Sequence, residues 1–479
     1  MTNLTLVGTL ASVWLQVLAA APTSTATPTP ARPPAPAAGR DEAVPVAPSA
    51  AVLLASAATT NRPVLPLDAA ERTAIEHQPN LRQARAATSA ASGRVEEARS
   101  GYLPQVNGTA QWLYGTEGKG GTSGAPCTTT SATGATIAST SPCAASSYVA
   151  SLAASQLIYD FGQTTEKWKS ADRSVEALQA TEVTSRNQIL YNVRSAFFTA
   201  RADRALIGVQ ADTLANQQKH LVQTEGFVRA GTQPEISLAQ TRTDVANAKV
   251  QLIQAENSYD IARAQLNLAM GVTASVDYDV ADRGLGALDG EDDPAEQLVA
   301  RALAARPELA SLTKQHEADV LTVRAFERGY GPALSGVAGA GLFGGNLSSL
   351  TPEWQVGLSL TWPIILGGLT HGQIHEAEGN LGVVDAQLEA ERLQVRLDVE
   401  QARLNVRSAK VSIGATEEAL VNARELLRLA EASYSQGVGN IIQLGDAQVA
   451  VTAAGAQRVQ ADFNLSIARA QLLLALGRP

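Results

Sequence analysis

The sequence predicts a mainly α-helical chain, internally duplicated, in which each half carries a pair of membrane-type β-strands. Three observations predict this. The segment IARAQLNLAMG (Ile261 to Gly271) recurs as IARAQLLLALG (Ile467 to Gly477), 206 residues later. Two stretches of some 65 residues run without proline in a helical pattern, and short segments ahead of each alternate apolar and polar residues.

Composition agrees. Aromatics make up 4% and charged residues 17% of the 479 residues. Ala, Gln, Leu, Ser and Thr dominate, which suits long helices packed closely through small side chains better than an aromatic core. The net charge of −9 is spread along the chain with no basic run, so binding nucleic acid by phosphate neutralisation has little to work with. No nucleic-acid partner is expected.

The chain opens with an apolar stretch, Leu4 to Ala21, ending in small residues, which reads as a signal peptide over residues 1–21, although no Lys or Arg precedes Arg32. Residues 22–66 are rich in Pro, Ala and Thr and are expected to form an extended linker, with structure starting near Leu67. Export agrees with the cysteines. Only Cys127 and Cys143 occur, in a Thr/Ser/Gly-rich stretch without metal-ligand company, and they are expected to staple one loop as an intrachain disulfide.

The 206-residue offset also aligns Gly231 with Gly437 and Gly162 with Gly368. Further upstream the offset becomes 228: HQPNL (His77 to Leu81) matches ARPEL (Ala305 to Leu309), and YLPQV (Tyr102 to Val106) matches YGPAL (Tyr330 to Leu334). The 22 extra residues of the first copy lie between Pro104 and Gly162 and form the cysteine-bearing loop. The first repeat therefore spans 67–292: a short helix, a β-hairpin over 104–162, a long helix over 163–230, a shorter helix over 235–271 and an equatorial segment over 272–292. The second spans 293–479: a short helix, a hairpin over 332–368, a long helix over 369–435 and a shorter helix over 441–477.

The shorter helix of the first repeat carries Val245, Ala248, Leu252, Ala255, Tyr259, Ala262, Leu266 and Ala269 at steps of three and four. At ~1.5 Å per residue each long helix would run about 100 Å, which suits a bundle or hollow barrel across a wide gap.

In the second hairpin Trp354, Val356, Leu358, Leu360 and Trp362 alternate with Gln355, Gly357, Ser359 and Thr361. In the first, Val106, Ala110, Trp112 and Tyr114 alternate with Gln105, Asn107, Thr109 and Gln111. Such strands, apolar on one face and ended by aromatics, fit a lipid-facing wall around a wet lumen, with Trp112, Tyr114, Trp354 and Trp362 as its aromatic girdle. Ala333 to Phe343 is too Gly-rich to alternate clearly. Four strands cannot close a barrel that leaves a lumen, so closure requires an oligomer.

Catalytic and metal chemistry find little support. His371 and His375 share a helix face, but Gly372 stands where a metalloprotease needs Glu. His77, His220 and His316 stand alone in helical sequence. No nucleophile elbow, phosphate loop or dinucleotide fingerprint occurs in the right context. No enzyme activity, metal or cofactor is expected. A periplasmic coiled-coil scaffold is the alternative reading, and it accounts for the helices only.

Over roughly Leu67 to Gly477 these landmarks resemble the outer-membrane efflux protein (TolC) family. The carriers are the paired P-x-L motifs at Pro79 and Pro307, the helix-to-strand prolines Pro104 and Pro332, the strand ends at Gly162 and Gly368, the tip glycines Gly231 and Gly437, and the closing Leu476-Gly477. The resemblance implies a homotrimer with a 12-stranded β-barrel in the outer membrane of a Gram-negative bacterium, continued by a long α-helical barrel in the periplasm. Its implied function is a passive exit duct of a tripartite efflux pump or type I secretion system, coupled to a periplasmic adaptor (membrane fusion) protein and an inner-membrane pump. It also implies a periplasmic aperture at Tyr434, Gln443 and Asp446, and adaptor contact at the tip turns, Gly231, Thr232, Pro234, Gly437, Val438 and Gly439. Gln443 and Gly439 are uncharged where some members carry charged latch residues.

Overall fold

The computed structural model describes residues 62–117, 128–130, 136–138, 143–273, 277–436 and 438–479. The expected signal peptide, most of the linker, Cys127 with its pairing to Cys143, and Gly437 lie outside them.

The elements follow one order twice. The first half runs α1 (Leu67–His77), α2 (Pro79–Ser100), β2 (Gln105–Glu117), β5 (Cys143–Tyr159), α3 (Gln163–Arg229) and α4 (Glu235–Met270). The second runs α5 (Ala295–Ala305), α6 (Pro307–Glu327), β7 (Ala333–Gly344), β8 (Thr351–Thr361), α7 (Leu369–Ser435) and α8 (Ile441–Ala475). The described residues also hold four short strands, β1 (Val64–Leu65), the small pair β3 (Thr128–Thr130) and β4 (Thr136–Ala138), and β6 (Asp279–Val280), and a 3-10 turn at Arg328–Tyr330.

Two features differ from the sequence reading. A strand precedes Leu67, inside the expected linker, because β1 pairs in parallel with β6 through Val64↔Asp279 and Leu65↔Val280. Val280 is buried, so the pairing seals one edge of the first-half core. The short helix opening each half is also two helices. Gln78 and Arg306 are extended, at ψ 121° and 124°, each just before a proline at the start of the next helix. A proline ring crowds the residue before it out of the α region, which breaks the helix there.

The duplication holds at the level of single pairings. In the hairpin β2–β5 Gln105 pairs with Ser155, and in β7–β8 Ala333 pairs with Thr361, the same register under the two sequence offsets. The four strands form one antiparallel sheet in the order β2-β5-β7-β8, leaving β2 and β8 as free edges. The Gly-rich segment before Gly344 is a full strand, β7.

Cores repeat likewise. In the first half Ala70, Leu81, Ile189, Val193, Ala262 and Leu266 are buried together, and in the second Leu298, Leu309, Val395, Val399, Ala468 and Leu472 occupy the equivalent places. All eight stripe positions of α4 are buried or half-buried. Ala at many of these positions lets helix axes approach closely, and dispersion across the long seams holds the wall. Each long helix has 67 residues, ~100 Å at ~1.5 Å per residue.

Left-handed glycines mark the joints. Gly162 and Gly368 both start the long helices at φ +88°. At the first joint the Asp160 carboxylate accepts from the amides of Gly162 (3.0 Å) and Thr164 (2.7 Å). Arg328 closes this joint by donating to the Phe161 carbonyl (3.2 Å) and pairing with the buried Glu166 carboxylate (3.2 Å).

Candidate functional site

The residues singled out from the sequence fall at two ends of the helical wall. At the sheet end Trp112, Tyr114, Trp354 and Trp362 are all well exposed, from 61% to 79%. Trp112 lies on β2 opposite Tyr148, and Trp354 on β8 opposite Ala340. Trp362 follows β8, and its indole N–H donates to the Tyr330 carbonyl at 3.2 Å. With Val356, Leu358, Leu360, Ile364 and Ile365 also exposed, one chain presents a broad apolar surface on and beside a sheet with two open edges.

At the far end of the long helices are two turns. In the first, Gly231 takes φ +76°, and Thr232 donates both its amide (3.0 Å) and its hydroxyl (2.9 Å) to the Phe227 carbonyl. Pro234 then caps α4, its fixed φ suiting a helix entrance. In the second, the amides of Val438 and Gly439 both donate to the Ser433 carbonyl, at 3.2 and 3.0 Å. A Cβ on Gly439 would lie 2.7 Å from the Tyr434 nitrogen. A side chain at this position would therefore have to displace the end of α7 or the turn. Asn440 caps α8, its side-chain oxygen accepting from the Ile442 amide at 3.1 Å.

Of the three aperture candidates, Gln443 and Asp446 are exposed on the first turns of α8, whereas Tyr434 turns inward and is 2% exposed. It packs with Leu427, Leu444 and Ala447 and meets the Phe227 ring edge-on at 5.7 Å. Its hydroxyl meets Thr224 Oγ1 at 3.2 Å and donates to Gln233 Oε1 at 3.1 Å. Tyr434 therefore ties the two turns together and does not line an opening in the chain. Asp446 shares an open groove with Asp244, Ser237, Gln240 and Gln217 between the starts of α4 and α8. Burial pushes the Asp244 carboxyl up from its ordinary value.

Thr224, Gln233 and Phe227 escape a sequence reading because nothing in the pattern marks their partner. The structure also pairs two of the histidines that stand alone in the sequence. His220 is buried, with Nε2 3.5 Å from Glu431 Oε1 and Nδ1 3.2 Å from Gln223 Oε1, and burial is the main cause of its lowered pKa. His316 Nε2 lies 3.1 Å from Asp385. His371 and His375 are exposed near the start of α7, and among the described residues no group of three or more potential metal ligands occurs.

A third polar centre holds the segment between the halves. Glu291, 5% exposed, accepts two hydrogen bonds from Arg469 (2.9 Å each) and pairs with Lys410 (2.7 Å). Burial pushes its carboxyl up, but these cations and the Leu288 amide outweigh it and hold the pKa down to about 2.

The chain is similar to known proteins throughout this architecture. The family model of the outer membrane efflux protein matches residues 72–272 and 298–478. Outer membrane protein TolC of Escherichia coli (strain K12) is 26% identical over 427 residues, 83% of this chain and 79% of that protein. Outer membrane efflux protein BepC of Brucella suis is 24% identical over 445 residues, 90% of each. Among solved structures the outer-membrane channel OprN superposes with a TM-score of 0.74 at 18% identity, covering 86% of this chain and 90% of that one. The two matched stretches, one in each half, span most of the chain, which therefore belongs to the outer membrane efflux protein family.

Proposed function

We propose that three copies of this chain close a β-barrel in the outer membrane and a helical barrel beneath it, forming a passive exit duct for small molecules. The observation that carries this reading is the open four-stranded sheet, whose two edges and exposed Trp, Leu, Val and Ile side chains have no cover in one chain. A strand edge inside lipid leaves backbone groups without hydrogen bonds, so closure onto further copies is the economical arrangement. The tip turns at the opposite end are the natural meeting place for a periplasmic adaptor, and through it an inner-membrane pump supplies the energy. No catalytic step belongs to the chain in this reading. Purification in detergent with mass determination of the protein component is the test. A mass of three chains, in material that high salt and carbonate do not wash from outer membranes, supports the duct; a monomer soluble without detergent overturns it.

A further inference from the structure

Within one chain the helices of the two halves meet through α3, which packs against α6 and α8 of the second half. Exchanging the halves turns this contact into α7 against α2 and α4, and within the chain α7 makes no comparable contact with either. The faces concerned are open. Leu404 on α7 is 48% exposed, whereas its counterpart 206 residues earlier, Phe198, is 1% exposed. Ile261 on α4 is 51% exposed, whereas its counterpart Ile467 packs against the first-half core.

Charge on these faces is complementary. Arg201 Nη1 crosses from α3 to Asp462 Oδ2 on α8 at 2.7 Å. The exchanged positions hold Arg407 and Glu256, the same pair of charges. Ser170 Oγ crosses from α3 to Thr322 Oγ1 on α6 at 2.9 Å, and there the exchanged positions hold Glu376 and Arg94, again opposite in sign. All four side chains are exposed, and none has an ion pair among the described residues. The same exchange sets the free strand edges against each other. Leu152 on β5 pairs with Ala340 on β7, so Leu358 on β8 would face Trp112 on β2.

We infer that Arg407 and Glu376 of one chain form ion pairs with Glu256 of the partner subunit and Arg94 of the partner subunit, so that the seam between chains repeats the seam between halves. The occupant of the open α7 face is a second copy of this chain, because the complement of that face is found 206 and 228 residues away in the same sequence. Exposed ion pairs contribute little singly, and here they set the register of a seam whose apolar residues supply the adhesion. The inference rests on the oligomeric reading above and adds its residue contacts.

The test uses full-length protein with Cys127→Ser and Cys143→Ser, extracted from outer membranes. Arg407→Cys with Glu256→Cys, treated with a short bis-maleimide, is expected to give covalent two- and three-chain species. Arg201→Cys with Asp462→Cys should link only within a chain, and Arg407→Cys with Lys249→Cys, two helical turns away, should give no interchain product. Separately, Arg407→Glu should lower the temperature at which the oligomer dissociates, and adding Glu256→Arg should restore it. An oligomer of correct mass that shows neither the interchain product nor the rescue overturns these contacts while leaving the oligomeric reading intact. A monomeric mass overturns both.

Discussion

The Tyr434 hydroxyl meets Thr224 Oγ1 at 3.2 Å, joining the end of one long helix to the end of the other at a buried point behind the tip turns. Tyr434→Phe keeps the packing against Phe227 but removes the bonds to Thr224 and Gln233, at a cost of about 1 kcal/mol. Tyr434→Ala also empties the cluster around Leu427 and Leu444, for about 4 kcal/mol. Faster amide hydrogen exchange in the last turns of α3 and α7 is expected in that order of severity. Unchanged exchange in Tyr434→Ala would show that the tyrosine does not hold the tip.

Gly477 takes φ +70°, and a Cβ there would lie 2.9 Å from the Ala305 carbonyl oxygen. Gly477→Ala should therefore lower stability by about 2 kcal/mol or more, from left-handed strain and from displaced backbone. Gly208→Ala in α3, where nothing lies within 4 Å, should hold or raise stability. Thermal melts of the two variants followed by circular dichroism would separate them, and equal midpoints would contradict the steric account.

Glu291 gives a pH window. Its carboxyl lies below its ordinary 4.5, at about 2 in the fold. A depressed acid adds stability that is fully present above about 4.5 and is lost as pH falls towards 2. The amount is of the order of 3 kcal/mol. Glu291→Gln, which strands the charge of Arg469 and leaves Lys410 only the exposed Asp292, should destabilise the protein at neutral pH by a similar order, about 3 kcal/mol, and flatten the acid limb of a stability profile. A variant whose profile still falls steeply between pH 5 and pH 2 would assign acid sensitivity to other carboxylates.

Asp446 would stand in three copies around one axis of the proposed duct. Converging carboxylates attract cations and hinder anions. Asp446→Asn is expected to lower cation preference and divalent-cation block in planar-bilayer recordings without changing oligomer yield. With Gly439 and Gln443 both uncharged, raising ionic strength should change open probability little. A steep opening with salt would reveal a charged latch elsewhere.

Duplication, long helices and left-handed joints were legible because each leaves a repeated mark: a motif met twice, a long run without proline, or a glycine at the same place in both halves. The pairing of Val64 and Leu65 was not, since two residues between prolines carry no alternation and read as linker. The family resemblance alone makes Tyr434 an aperture residue. Its inward orientation follows from the helical phase that also buries Leu427, which no single tip motif reveals. The partners of Glu291 lie more than a hundred residues away on α7 and α8, and a run of three acidic residues between helices reads as solvated loop.

The matched registers Gln105↔Ser155 and Ala333↔Thr361 give this polypeptide a built-in reference. A probe placed at a repeated position has a twin in the same molecule, at the same concentration, in the same detergent and at the same temperature. Comparing twins cancels the shared backbone geometry and leaves what distinguishes the halves: the side chains that differ, the longer first hairpin and whatever covers each face. Amide exchange in α1 against α5, each of eleven residues, would read those differences without a second sample.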